Sequence, residues 1–184
     1  MPKIKTSKEE LIELCYKTFK STGYPTASIA TLAAACNVEK AHLYYYFKNK
    51  EDIMLEVLQY IKNKVETEVL SIAYEEELEF AQRLNTLLEK LKNFYKEVKT
   101  GCLMTNTVIQ TLYGNDNYAK LTQDFLSKLT HAIAHLYQDR YSANYAIGKA
   151  EQAVQDLYGG LIFAQIYKDD SYLEKALNRV KKKL

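Results

Sequence analysis

The chain has 184 residues, 47% of them hydrophobic and 26% charged, with a formal net charge of +2. These are the proportions of an ordinary globular protein with material for a sizeable core. Two prolines and six glycines are too few breakers for a fold of many short strands, and no apolar run approaches the ~20 residues that cross a bilayer.

The first helix starts near Ser7. Ser7-x-x-Glu10 fits a capping box, in which hydroxyl and carboxylate each satisfy a free amide at the helix start. Leu11, Ile12, Cys15, Tyr16 and Phe19 then recur on one face. Gly23 suits the stop, with Pro25 in the turn beyond it. A short second helix covers about 27–36, with Thr26 as its expected cap. Asn37 follows, a residue that tolerates the left-handed conformation of a tight turn. A third helix runs over about 39–47. Asn49 caps a fourth, whose apolar stripe is Ile53, Val57, Leu58, Ile61 and Val65.

Further on, residues 77–98 read as a helix with Leu84, Leu87, Leu88, Leu91, Phe94 or Tyr95, and Val98 inward. Thr100-Gly101 breaks it. A shorter helix spans about 102–113, and 114–117 form a turn cluster. Two long helices follow, about 118–138 and 143–167, the latter capped by Ser142. Ser171-x-x-Glu174 is a second capping box opening a final helix, whose Lys181-Lys182-Lys183 tail complements the helix dipole. No alternating pattern of a strand occurs. The expected fold is all-α, with about nine helices.

Residues 23–53, GYPTASIATLAAACNVEKAHLYYYFKNKEDI, carry the functional signal. They read as a helix-turn-helix. Ala33 stands where the second and third helices approach most closely, and Asn37 makes the turn. Ile29, Leu32, Val38 and Leu43 pack both helices on the first. Lys40, Ala41, Tyr44, Tyr45 and, less clearly, Tyr46 project from the third, whose N-terminal half can reach base edges in a major groove. Tyr44 can instead serve the core, and Phe47 is expected to do so. Lys48 or Lys50, at the start of the fourth helix, is placed to hold a phosphate. Charge follows the same division: residues 1–50 carry eight lysines against four glutamates, whereas residues 51–184 carry 17 basic and 19 acidic groups. A basic head on a slightly acidic body suits contact with phosphates.

This stretch resembles the N-terminal domain of the tetracycline-repressor (TetR/AcrR) family of bacterial regulators. The match rests on Gly23, Tyr24, Ser28, Leu32, Ala33, Val38, Leu43, Tyr44, Phe47, Lys50 and Glu51, with Leu11, Ile12 and Phe19 at the spacing of the family's first helix. It covers about residues 7–60. The resemblance implies a DNA-binding domain over residues 1–50 and a ligand-binding and dimerisation domain over 51–184. It implies contacts to double-stranded DNA from Thr26, Ser28, Lys40, Ala41, Tyr44, Tyr45 and Lys50. Three positions depart from the pattern. Ala30 replaces an arginine, Asn37 replaces the turn glycine, and His42, expected at the surface, replaces a small residue.

The resemblance also implies a small-molecule effector in the body and a homodimer through the last two long helices. Ala146, Gly148, Ala150, Ala153, Gly159, Gly160 and Ala164 would let helices approach closely in such a dimer, or within one chain. Tyr95, Cys102, Met104, Thr107, Tyr113, His131, His135, Tyr158 and Phe163 are candidate pocket walls. Gly101-Cys102-Leu103 resembles a segment of family members, and some related regulators sense electrophiles or oxidants through cysteine. The alternative for Cys102 is a small buried hydrophobe. His131 and His135 have metal-ligand spacing, but no third ligand is evident, and no cofactor or metal is expected. Three cysteines without a CxxC suggest no disulfide framework, and Cys15 and Cys36 fall on core faces and read as structural. The N-terminus lacks the apolar segment of a signal peptide, so the expected location is cytoplasmic. No nucleophile–base pair or phosphate loop marks an enzyme. The rival to a ligand-released repressor is a helical protein that acts mainly through a protein partner.

Overall fold

The computed structural model describes residues 6–96, 101–111 and 116–182. Among them are nine α-helices and one 3-10 segment, and no strand. In chain order they are α1 (Lys8–Thr22), α2 (Ile29–Ala35), α3 (Lys40–Tyr46), α4 (Lys50–Glu68), the 3-10 segment (Leu70–Tyr74), α5 (Phe80–Lys96), α6 (Leu103–Gln110), α7 (Asp116–Tyr137), α8 (Ala143–Tyr167) and α9 (Ser171–Lys182). None of these helices is long and apolar enough to cross a membrane.

Local chemistry fixes the helix ends. At α1 the Glu10 amide donates to the Ser7 hydroxyl at 3.1 Å, and the Ser7 amide donates to the Glu10 carboxylate at 2.8 Å. Gly23 ends the helix at φ 78°, its N–H on the Phe19 carbonyl. Asn49 caps α4 by accepting from the Asp52 amide at 2.8 Å.

Other caps differ from expectation. Ser28, not Thr26, caps α2, because its hydroxyl accepts from the Thr31 amide at 3.1 Å. Ser171 lies inside α9 rather than before it. Its amide and hydroxyl both donate to the Asp169 carboxylate, so the expected capping box gives way to an aspartate two residues upstream. Ser142 stands at the start of α8 without a side-chain cap bond. The chain also inserts the unforeseen 3-10 segment, and α5 begins only at Phe80. Val98 and Tyr113 lie outside the described residues.

One continuous core joins all the elements. α1 contributes Leu11, Cys15 and Phe19, α2 Leu32 and Ala33, α3 Leu43, and α4 Ile53, Met54, Val57 and Leu58. Each such buried Leu, Ile or Phe contributes about 1.5–3 kcal/mol of hydrophobic free energy. α7 is the central helix of the body. It packs on α4, α5, α6 and α8 and buries Tyr118, Phe125, Leu129, Ile133, Leu136 and Tyr137. Ion pairs Lys62–Asp124 (2.6 Å) and Lys128–Glu66 (2.7 Å) flank its seam with α4.

The small residues of α8 serve the inside of the chain. Ala146, Ala150 and Ala153 are fully buried. Gly160 is where α9 comes closest: a Cβ there would stand 2.6 Å from the Cβ of Ala176. Only Gly148 and Gly159 face open space. What α8 leaves uncovered is an apolar surface of Ile162, Phe163, Ile166 and Tyr167.

Candidate nucleic-acid interface

The first three helices and the start of α4 form a compact head. The turn between α2 and α3 is closed by main-chain bonds from Asn37 to the Ala34 carbonyl and from Val38 to the Ala33 carbonyl, each 3.0 Å. Asn37 takes the left-handed conformation, φ 53°, that makes the reversal possible. Leu43 and Phe47, one helical turn apart, are buried and seat α3 on the core. Phe47 is thus a core residue, whereas Tyr44 turns out to be an outward one.

The opposite side of α3 faces solvent. Tyr44 is 54% exposed and Tyr45 79%, and Lys40 and Ala41 are exposed beside them. Thr26, Ser28 and Lys48 are exposed too. Tyr46 lies half-buried, its ring edge-on to Tyr45 (4.9 Å) and to His42 (5.6 Å). His42 is not the surface residue expected. It is half-buried, with its Nε2 enclosed and without a hydrogen-bond partner among the described residues.

Lys50 has an intramolecular role that the sequence did not reveal. Its ammonium donates to the carbonyls of Tyr24 (3.1 Å) and Ala27 (3.0 Å) and sits 4.4 Å over the Tyr24 ring. Two of its three N–H groups thus fasten the α1–α2 connection to the start of α4. Lys48 lies exposed on the neighbouring loop.

Of the expected pocket residues, three converge. Tyr95 from α5 and Tyr158 from α8 place their hydroxyls 3.2 Å apart, and Cys102 Sγ lies 3.6 Å from the Tyr158 hydroxyl. Burial, with Cys102 and Tyr95 alongside, pushes the Tyr158 hydroxyl well above its ordinary pKa, and burial does the same to Tyr95. Met104 is fully buried nearby in sequence on α6, and so is Thr107, whose hydroxyl lies 3.9 Å from Met54 Sδ of α4. The others do not join this cluster. His131 is exposed beside Ser127, and His135 stacks against Tyr74 at 4.7 Å. Phe163 stacks with Tyr167 on the open face of α8. No group of three His, Cys, Asp or Glu among the described residues is placed to hold a metal. A surface groove of about 550 Å³ between α4 and α7, lined by Asp52, Glu56, Gln59, Lys120 and Asp124 among others, involves none of the expected residues.

A short outward helix presented by a helix-turn-helix, carried on an all-helical body, is the arrangement the described residues form. Residues 11–57 match the sequence model of the family described as bacterial regulatory proteins, tetR family. The head of the chain is thus similar to the N-terminal segment of that family. The chain is 33% identical over 69 residues to the uncharacterized HTH-type transcriptional regulator YuxN of Bacillus subtilis. That match takes in 38% of this chain and 24% of YuxN, so the chain spans about a quarter of that relative's length. The fold of the whole chain is similar to a TetR transcriptional regulator from Legionella pneumophila (TM-score 0.85, 19% identity, 97% of each chain covered). It is also similar to E. coli NemR in its reduced form (TM-score 0.80, 16% identity, 95% of this chain and 94% of that one).

Proposed function

We propose that this protein is a TetR-family repressor that grips a pseudo-palindromic operator as a homodimer and releases it when a small molecule enters the body. The observation that supports this most is the outward row of Lys40, Ala41, Tyr44 and Tyr45 on a helix held by Leu43 and Phe47. An exposed aromatic pair on a basic head has no structural reason to stay wet. Against DNA, the tyrosine rings meet thymine methyl groups and the hydroxyls meet bases or phosphates, while Lys40 and Lys48 neutralise phosphates. Thr26 and Ser28 approach the backbone from the start of α2.

In this reading the chain divides near residue 50, and two heads enter successive major grooves roughly 34–36 Å apart. The second copy docks on α8. Ile162, Phe163, Ile166 and Tyr167 give it an apolar surface, whereas the exposed residues of α7 include Gln123, Asp124, Ser127 and His131, which are polar. The effector binds by separating the Tyr95–Tyr158–Cys102 cluster, and it must favour the arrangement in which the heads no longer match the operator.

Selection of bound fragments from genomic DNA by the purified protein tests the proposal. A common two-fold motif, bound by two copies, is the expected result. Recovery of fragments with no shared motif would leave a protein that acts through another partner.

A further inference from the structure

Cys15 and Cys36 are 21 residues apart and carry no motif, yet the fold brings their sulfurs to 3.8 Å. Cys15 lies in the middle of α1, fully buried. Cys36 ends α2 and is 4% exposed. The residue after Cys36 is Asn37, the left-handed pivot on which α3 is turned outward. A change at Cys36 is therefore delivered directly to the turn.

We propose that Cys15 and Cys36 are a dithiol site in the head, which closes to a disulfide under a hydroperoxide and thereby loosens the grip on DNA. The loosening rests on the reading of α3 as the DNA-contacting helix. Cys36 reacts first, since it is the less enclosed sulfur. The hydrogen bond from the Cys15 thiol also holds the Cys36 thiol below its ordinary pKa, and the same pairing with burial raises Cys15. The Cys36 thiolate attacks the terminal peroxide oxygen and breaks the O–O bond. The departing alkoxide takes the thiol proton and leaves as an alcohol, and sulfur becomes the sulfenic acid. Cys15 then attacks Cys36 Sγ. The S–S bond forms, hydroxide leaves, and it takes the Cys15 proton to become water. Two thiols and one hydroperoxide give one disulfide, one alcohol and one water.

A disulfide requires sulfurs about 2.05 Å apart, so the pair must close by ~1.8 Å. Packed interiors leave little room for side chains to swing. The end of α2 is drawn toward α1, and the turn at Asn37 shifts with it.

Peptide mapping under non-reducing conditions tests this. After treatment with tert-butyl hydroperoxide, trypsin should release Glu9–Lys17 joined to Ser21–Lys40, two hydrogens lighter than the sum of the free peptides, and separable by dithiothreitol. Affinity for a labelled duplex selected from random DNA with the reduced protein should fall about tenfold on oxidation, within the usual range of coupling between sites, and return on reduction. Cys36→Ala should bind DNA and ignore the oxidant. Should Cys36→Ala not fold, Cys15→Ala and the peptide map of the parent protein decide. Absence of the joined peptide, or a joined peptide with unchanged affinity, overturns the proposal. Reduced protein that binds no duplex at all defeats the DNA reading instead, and the cross-link, read by mass alone, still stands or falls separately.

Discussion

The Tyr118 hydroxyl donates to the main-chain carbonyl of Glu51 at 3.1 Å. One residue belongs to the central helix of the body and the other to the first turn of α4. The same hydroxyl lies 3.5 Å from that of Tyr24, whose ring carries the Lys50 ammonium. A line of contacts thus runs from α7 through Tyr118 and Tyr24 to the α1–α2 connection. Tyr118→Phe keeps the ring and removes the hydroxyl. It should cost about 1 kcal/mol, the usual net worth of one hydrogen bond, read as a lowered midpoint in urea unfolding. An unchanged midpoint would show that the contact does not tie head to body.

Lys50 offers a sharper division of roles. If it fastens Tyr24 and Ala27, Lys50→Ala should lower stability by about 1.5–3 kcal/mol, the worth of hydrogen bonds to a charged group, with the log–log salt slope of DNA binding kept. Lys48→Ala should leave stability nearly unchanged and flatten that slope by about one unit. The reverse pattern, measured by denaturation and salt titration, would make Lys50 the phosphate contact.

Tyr45 is the most exposed aromatic residue of the head. Tyr45→Ala should preserve the melting temperature and cost roughly 1–3 kcal/mol on the selected operator, with relaxed sequence preference. Equal affinity of parent and variant in a fluorescence titration would remove Tyr45 from the interface.

Alkaline pH probes the buried tyrosines. Burial raises the hydroxyls of Tyr95, Tyr118, Tyr137 and Tyr158 above the ordinary value. Above about pH 10 the unfolded chain ionises these groups while the folded chain keeps them protonated, so the folded state binds more protons and loses stability as pH rises. Each group contributes up to about 1.4 kcal/mol per pH unit in that window. Thermal melts should be flat in this respect below pH 9 and fall steeply above pH 10, together with the tyrosinate absorbance. Early tyrosinate formation without unfolding would mean that the hydroxyls are wet.

In the proposed dimer the second copy docks on α8. Ile166 is 69% exposed within one chain. Ile166→Glu should shift the protein from dimer toward monomer in sedimentation, with little change in helix content. A dimer of undiminished affinity would place the interface elsewhere.

Much of this fold was legible in the sequence, because helix stripes and caps are local signals. Ser7 with Glu10, Asn37, Asn49 and the stripe of α4 could be read from spacing alone. Thr26 and Ser171 were misleading, since a serine or aspartate two residues away competes for the same free amides, and only the backbone path decides between them. Lys50 read as a phosphate ligand because its carbonyl partners, Tyr24 and Ala27, are more than twenty residues upstream. The Cys15–Cys36 contact and the inward use of α8's small residues are likewise tertiary facts. No local pattern announces which face of a helix the fold will cover.

The central claim is that the head binds DNA through a cationic, aromatic α3. It is tested most directly by titrating the purified dimer onto its selected duplex at several salt concentrations. With Lys40 and Lys48 from each of two heads neutralising phosphates, the log–log slope should be about −3.6 or steeper, and a scrambled duplex should bind far more weakly. A slope near zero, or equal binding of both duplexes, would contradict the account.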